Sequence, residues 1–233
     1  MVKLCSLVFF VWIAVVSNGV LAGKLDWVKV VKRPACKRFD VSVSIDCDRG
    51  LIKRPSNYWF KKLCDYCREG IKKYWSRKIS YGGSTWKVNV YTVLKSRGDR
   101  KKIKLRYYKR KGWFFSSTRS HNSDILKMTV KYLAYKSNAA LRFKRTCAHE
   151  IGHSFLKAAR GLKYSWGHKG TSSIFGKIKS NAPSYPSRGE IDLMKYYKGS
   201  ASNYYSRSIA AESDVKDLVF KVRDSYTTNS GKC

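Results

Sequence analysis

Residues 147 to 153 read Cys-Ala-His-Glu-Ile-Gly-His, in a chain of 233 residues that has four histidines in all. His149 and His153 are four apart. On a helix that spacing puts two side chains on one face, about one turn from each other. Their ring nitrogens can then bind a single metal ion. Glu150 is rotated by about 100° from His149. It reaches the edge of such a site and not its centre, the position from which a carboxylate can take a proton from water. The pattern is the His-Glu-x-x-His motif, two ligands and a general base on one helix. Gly152 leaves room beside the ligands, and Ile151, Phe155 and Leu156 supply apolar packing.

A metal site that does chemistry needs a third protein ligand and an open position. Three residues downstream are candidates: His168, Asp192 and Glu190. A helix running about seven residues past His153 carries the chain roughly 11 Å away at 1.5 Å per residue. The eight residues 161–168 span up to about 26 Å when extended, so a return to the metal is feasible. His121 lies in a Ser-rich turn before the helix and reads as a surface residue.

At Gly189-Glu190-Ile191-Asp192-Leu193-Met194-Lys195-Tyr196-Tyr197 the sequence resembles the metzincin clan of zinc metalloproteases. That family joins His-Glu-x-x-His to a glycine, a third histidine and a Met-turn. The resemblance covers roughly residues 138–223. It implies a secreted zinc metalloendopeptidase with one catalytic Zn2+ held by His149, His153 and His168. Glu150 is then the general base. Met194 forms an apolar floor under the metal, and Tyr196 helps to bind the metal or the oxyanion. The spacing departs from the family pattern, in which the glycine and the third histidine follow the second histidine by about three and six residues. Here the gaps are 161 − 153 = 8 and 168 − 153 = 15. The Gly-x-x-Asp stretch also loosely resembles the aspzincins, whose third ligand is an aspartate, so Asp192 stays open as an alternative to His168.

Several elements must position these residues. Asn138 to Arg160 reads as one long helix stopped by Gly161, the residue favoured in a left-handed cap. Ser56 reads as the N-cap of an earlier helix, with Trp59, Leu63, Tyr66, Cys67 and Ile71 at helical spacing. Trp86, Val88 and Val90 alternate with Lys87, Asn89 and Tyr91 as in a half-buried strand. Ile103, Leu105 and Tyr107 form a second strand, joined to the first in a hairpin by Ser96-Arg97-Gly98-Asp99. Leu126, Met128, Val130 and Tyr132 form a third. About 40 irregular residues follow the central helix. A last helix holds Val215, Leu218, Val219 and Val222. The order gives an α+β, zincin/metzincin-like single domain: a small twisted sheet, a central active-site helix at about 138–160, a Met-turn-like segment at 189–197 and a C-terminal helix.

The first 22 residues combine Lys3, an apolar core and Val20-Leu21-Ala22, as in a cleaved signal peptide. The remaining residues 23–233 then form the secreted, extracellular domain, with no membrane span. Outside the signal there are six cysteines: Cys36, Cys47, Cys64, Cys67, Cys147 and Cys233. An even number in a secreted chain points to disulfides. Cys36 reads as the partner of Cys47 before it reads as a cap on the zinc; Cys147 with Cys233 is a further candidate pair, which would pin the C-terminus behind the site; Cys64-Asp-Tyr-Cys67 reads as structural before it reads as a redox or metal pair.

Formal net charge is +34, and residues 51–111 carry 20 Lys/Arg against three acids. Such a field favours anionic partners. Beside a protein or peptide substrate, it suits an anionic surface or polymer; with no acidic metal cluster in a secreted chain, no specific nucleic acid is expected. Lys157, Lys163 and Lys169 lie near the motif and are candidates for favouring acidic substrates. The competing class is a secreted cationic binding or toxin-like protein in which the metal site is structural or vestigial.

Overall fold

The computed structural model describes residues 24–48, 56–108, 125–129, 138–223 and 225–231. The expected signal segment, His121, Cys233 and the later part of the third expected strand lie outside them. The architecture is mixed α+β. Seven strands of the described residues form one sheet: β1 (Val28–Arg33), β2 (Arg38–Asp48), β3 (Arg77–Tyr81), β4 (Ser84–Leu94), β5 (Lys101–Tyr108), β6 (Ile125–Thr129) and β9 (Thr227–Thr228). The path is β3-β4-β2-β1-β9, with β5 on β2 and β6 on β5. On β4, Trp86, Val88 and Val90 are buried while Lys87 and Tyr91 face out, as the alternation predicts.

The expected hairpin at 96–99 is not there. β4 and β5 both pair parallel to β2, β4 along Arg38 to Ile45 and β5 along Ile45 to Asp48. Two strands parallel to a third run the same way, so Gly98 turns an excursion between them. The hairpin lies one strand earlier. Tyr81 pairs with Ser84 across Gly82-Gly83, both at positive φ, which glycine adopts without a Cβ clash.

Helix α1 (Asn57–Trp75) starts where the Ser56 hydroxyl accepts from the Trp59 amide. It packs on β4 and β5 with one side and on helix α2 (Ala139–Arg160) with another. The two helices touch closely at Gly70, where a Cβ would collide with the Lys144 carbonyl. Leu63, Cys67, Ile71, Tyr74 and Trp75 of α1 join β2, β4 and α2 in one core. Trp59, Phe60 and Tyr66 pack against it, so much of this aromatic-basic stretch is core.

Disulfides staple these layers. Cys47–Cys64 ties β2 to α1, and Cys67–Cys147 ties α1 to α2. Cys36 is also disulfide-bonded. The expected Cys36–Cys47 and Cys147–Cys233 pairs are therefore wrong, because the helix packing brings other cysteines together. Cys64 and Cys67 serve two different structural bridges.

α2 ends at Gly161, with φ 86°. The segment expected to be irregular is partly ordered: helix α3 (Leu162–Trp166) folds back beside α2, and a 3-10 turn covers His168–Gly170. Farther on, β7 (Ile191–Asp192) pairs parallel with β8 (Ser208–Ile209), preceded by a short helix α4 (Tyr204–Arg207). The last helix, α5 (Glu212–Phe220), buries Val215, Leu218 and Val219, with Val222 just beyond it. Among the described residues, no helix is long and apolar enough to cross a membrane.

Candidate metal centre

His149 and His153 come from one face of α2, and His168 from the 3-10 turn that follows the reversal at Gly161. Their relative exposures are 5%, 4% and 4%. One ligand atom from each lies within 4.8 Å of the other two, so the three could hold a metal ion. His149 and His168 stack at 5.2 Å between ring centroids, and His153 meets both edge-on at 4.9 Å.

The hydrogen bonds behind the rings fix their tautomers. His149 Nδ1 is 2.8 Å from the Leu193 carbonyl, which can only accept, so Nδ1 carries the proton. His153 Nδ1 is 3.2 Å from Ser165 Oγ, whose own proton goes to the His153 carbonyl at 2.7 Å. His168 Nδ1 is 2.7 Å from Ser172 Oγ, whose proton goes to the Ser173 carbonyl at 2.9 Å. Both hydroxyls must therefore accept from the rings. All three imidazoles keep Nδ1–H and offer an Nε2 lone pair, the arrangement that orients metal-binding histidines. The Nε2 atoms of His149 and His168 are 3.3 Å apart. Two lone pairs at that distance call for a proton or a cation between them. Burial opposes the proton: it is the main cause holding His149 well below the usual histidine range, aided by the charges of His153, Arg145 and His168. It also lowers His153 to about 4.

Met194 is fully buried and packs against α2 at Gly152. A Cβ on Gly152 would stand 2.6 Å from Met194 Sδ and 2.6 Å from Trp75 Cζ2, so glycine is what admits both. Tyr196 stacks on His168 at 3.7 Å. Its amide donates to Thr171 Oγ1 at 2.8 Å, and that hydroxyl donates to the His168 carbonyl at 2.6 Å. Glu150 is buried and lines a cleft of about 200 Å3 together with His149 and Tyr196.

The alternative ligands are engaged elsewhere. Asp192 Oδ2 accepts from Lys169 Nζ at 2.6 Å, and its Oδ1 accepts from the Met194 amide at 2.9 Å. Glu190 is exposed and pairs with Arg77 at 3.2 Å. Lys169 is not a substrate-facing charge either. Its Nζ also bonds Asp214 Oδ2 at 2.9 Å; the Asp214 side chain is fully buried, and those of Lys169 and Asp192 are largely so. Burial opposes the ammonium, but Asp192 and Asp214 outweigh it and hold Lys169 charged. Burial pushes the Asp214 carboxyl up to about 6, against the pull of Lys169. Lys157 and Lys163 are exposed, on the end of α2 and on α3.

Sequence reasoning passed over Ser165, Ser172, the Leu193 carbonyl and Arg145. Arg145 was within reach of it, since it sits four residues before His149 on the same helical stripe. No family model, no curated protein and no solved structure matches this chain.

Proposed function

We propose that the chain is a secreted zinc-dependent endopeptidase with a metzincin-like architecture. The observation that carries this reading is the convergence of three buried Nε2 lone pairs beside a buried glutamate on an open cleft. Three imidazoles suit Zn2+. Ligand nitrogens about 2.0–2.1 Å from a tetrahedral zinc stand roughly 3.3–3.4 Å apart, in keeping with the 3.3 Å between His149 and His168. The disulfides fit an oxidising, extracellular compartment.

Zinc held by His149, His153 and His168 would supply Lewis acidity toward water and a peptide carbonyl. The protein's own groups do the rest. Leu193, Ser165 and Ser172 keep the rings in the binding tautomer. Glu150 accepts the proton of the attacking water and returns it to the departing amine. Tyr196, stacked on His168, would donate to the oxyanion. A glutamate at this position has no use in a purely structural metal site. The net charge of +34 favours the second reading, a cationic binding protein. Salt separates the two: charge-driven binding falls steeply with ionic strength, while peptide hydrolysis in the cleft falls less. Glu150→Gln should keep the metal and lose activity by about 100-fold or more. A variant that cleaves at the parent rate would show this mechanism to be wrong.

A further inference from the structure

Arg145 lies on the stripe of α2 that carries His149 and His153, and it lines the same cleft as His149, Glu150 and Tyr196. It is 7% exposed. A guanidinium cannot shed its charge, so burial normally comes with a carboxylate partner. Here the guanidinium's hydrogen bonds go to neutral groups. Nε donates to Ser208 Oγ at 3.1 Å, and Nη2 donates to the Leu193 carbonyl at 3.2 Å. The guanidinium carbon sits 4.4 Å from the centre of the Tyr204 ring. Among the described residues no carboxylate lies within ion-pair distance of Arg145, and Nη1 makes no hydrogen bond. A neighbouring position of the cleft is also cationic, Lys195. Tyr185, Tyr197 and Tyr204 form its aromatic wall, with Tyr185 stacked on Tyr197 at 4.8 Å and edge-on to Tyr204 at 5.4 Å.

A buried cation with donors left over, walled by rings and open beside the reacting centre, is a receptor for an anion on a short apolar stem. We infer that Arg145 is a specificity-determining residue, and that the cleft takes a carboxylate of the peptide substrate next to the bond to be cut. This rests on the peptidase reading above. The carboxylate can come from an Asp or Glu side chain or from the chain terminus. Both present the same two oxygens to the fork of Arg145, and the aromatic wall packs the carbons that carry them.

The test uses metal-loaded parent protein and matched peptides. One series has both termini blocked and carries Glu or Gln at each position in turn; a second has free or amidated C-termini. Cleavage is mapped by mass spectrometry and followed by kcat/KM. The expected result is a drop of about 30-fold or more on Glu→Gln at one fixed position, or on amidation, whichever source of carboxylate the cleft uses. In Arg145→Gln, checked for parent metal content, the preference should collapse to within about threefold. Arg145→Lys should keep its direction. Equal cleavage of the Glu and Gln peptides and of free and amidated ones by the parent overturns the inference without any variant. So does a preference that survives Arg145→Gln. If metal-loaded parent cleaves nothing, the peptidase reading fails by itself, and calorimetric binding of the same peptides decides about the cleft. Tighter binding of the carboxylate member upholds the receptor; equal binding, or none, overturns it.

Discussion

Replacing Lys169 by methionine removes the ammonium shared by the buried Asp214 and the largely buried Asp192. Lys169 Nζ lies 2.6 Å from Asp192 and 2.9 Å from Asp214, and the Asp214 side chain is fully buried. Breaking a buried pair by deleting one partner costs about 3–5 kcal/mol, since the other charge stays behind unpaired. Here two stay behind. That is a large part of the roughly 5–15 kcal/mol that holds a domain folded. For a domain of this size it is a fall in Tm of roughly 10–15 °C. The loss should depend on pH with a definite sign. Asp214 already titrates above its ordinary range because it is buried, and losing the opposing pull of Lys169 raises it further. A carboxyl raised in the folded state contributes stability below its unfolded pKa and loses it as pH rises through the folded value. The gap between variant and parent should therefore be wide at pH 7 and narrower at pH 5. Thermal unfolding of both chelated proteins at the two pH values measures it, and chelation leaves the histidine contribution common to both. The site should suffer too. His168 and Lys169 stand at φ 47° and 59°, where side-chain-bearing residues are strained, and the ion pairs hold that turn in place. A Tm within about 2 °C of the parent at pH 7, or a gap that widens at pH 5, would refute this reasoning.

Two further outcomes follow from the same packing. His153 is lowered to about 4 in the folded protein by burial, against 6.5 for the free group. A depressed group gives stability that is present above 6.5 and lost as pH falls through about 4, here about 3 kcal/mol for His153 alone; urea midpoints of the chelated protein between pH 7 and 4 measure it. Gly152→Ala places a methyl 2.6 Å from Met194 Sδ and Trp75 Cζ2. Overpacking of about 1–3 kcal/mol should outweigh the roughly 1 kcal/mol gained in helix propensity. Metal affinity should drop with stability in a chelator competition, and unchanged affinity would show that Met194 does not support the site.

What could be read from the sequence was what local chemistry decides. The expected helix 138–160 is α2 to within one residue and stops at Gly161, although Gly161 at φ 86°, ψ 172° is not the expected left-handed cap; Ser56 caps α1, because a side-chain cap is settled within one turn of chain. The His149–Glu150–His153 face follows from helical spacing, and His168 was reachable by chain length. What failed was non-local. Gly82-Gly83 and Gly98 both look like turns, and only pairing with β2 decides which closes a hairpin. Cysteine spacing says nothing about which helices cross, so the partners of Cys47 and Cys147 were misassigned. Asp192 offers the same oxygens to a metal as to an ammonium, and the buried Lys169 claims it. Ser165 and Ser172 look ordinary in sequence; their part appears once the donor of each hydroxyl is traced.

The central claim is that His149, His153 and His168 hold one zinc ion. Elemental analysis of the purified protein beside His168→Ala and Asp192→Asn tests it most directly. About one zinc per chain is expected in the parent, retained in Asp192→Asn and lost in His168→Ala. A parent without zinc, or a His168→Ala protein that keeps it, would contradict it.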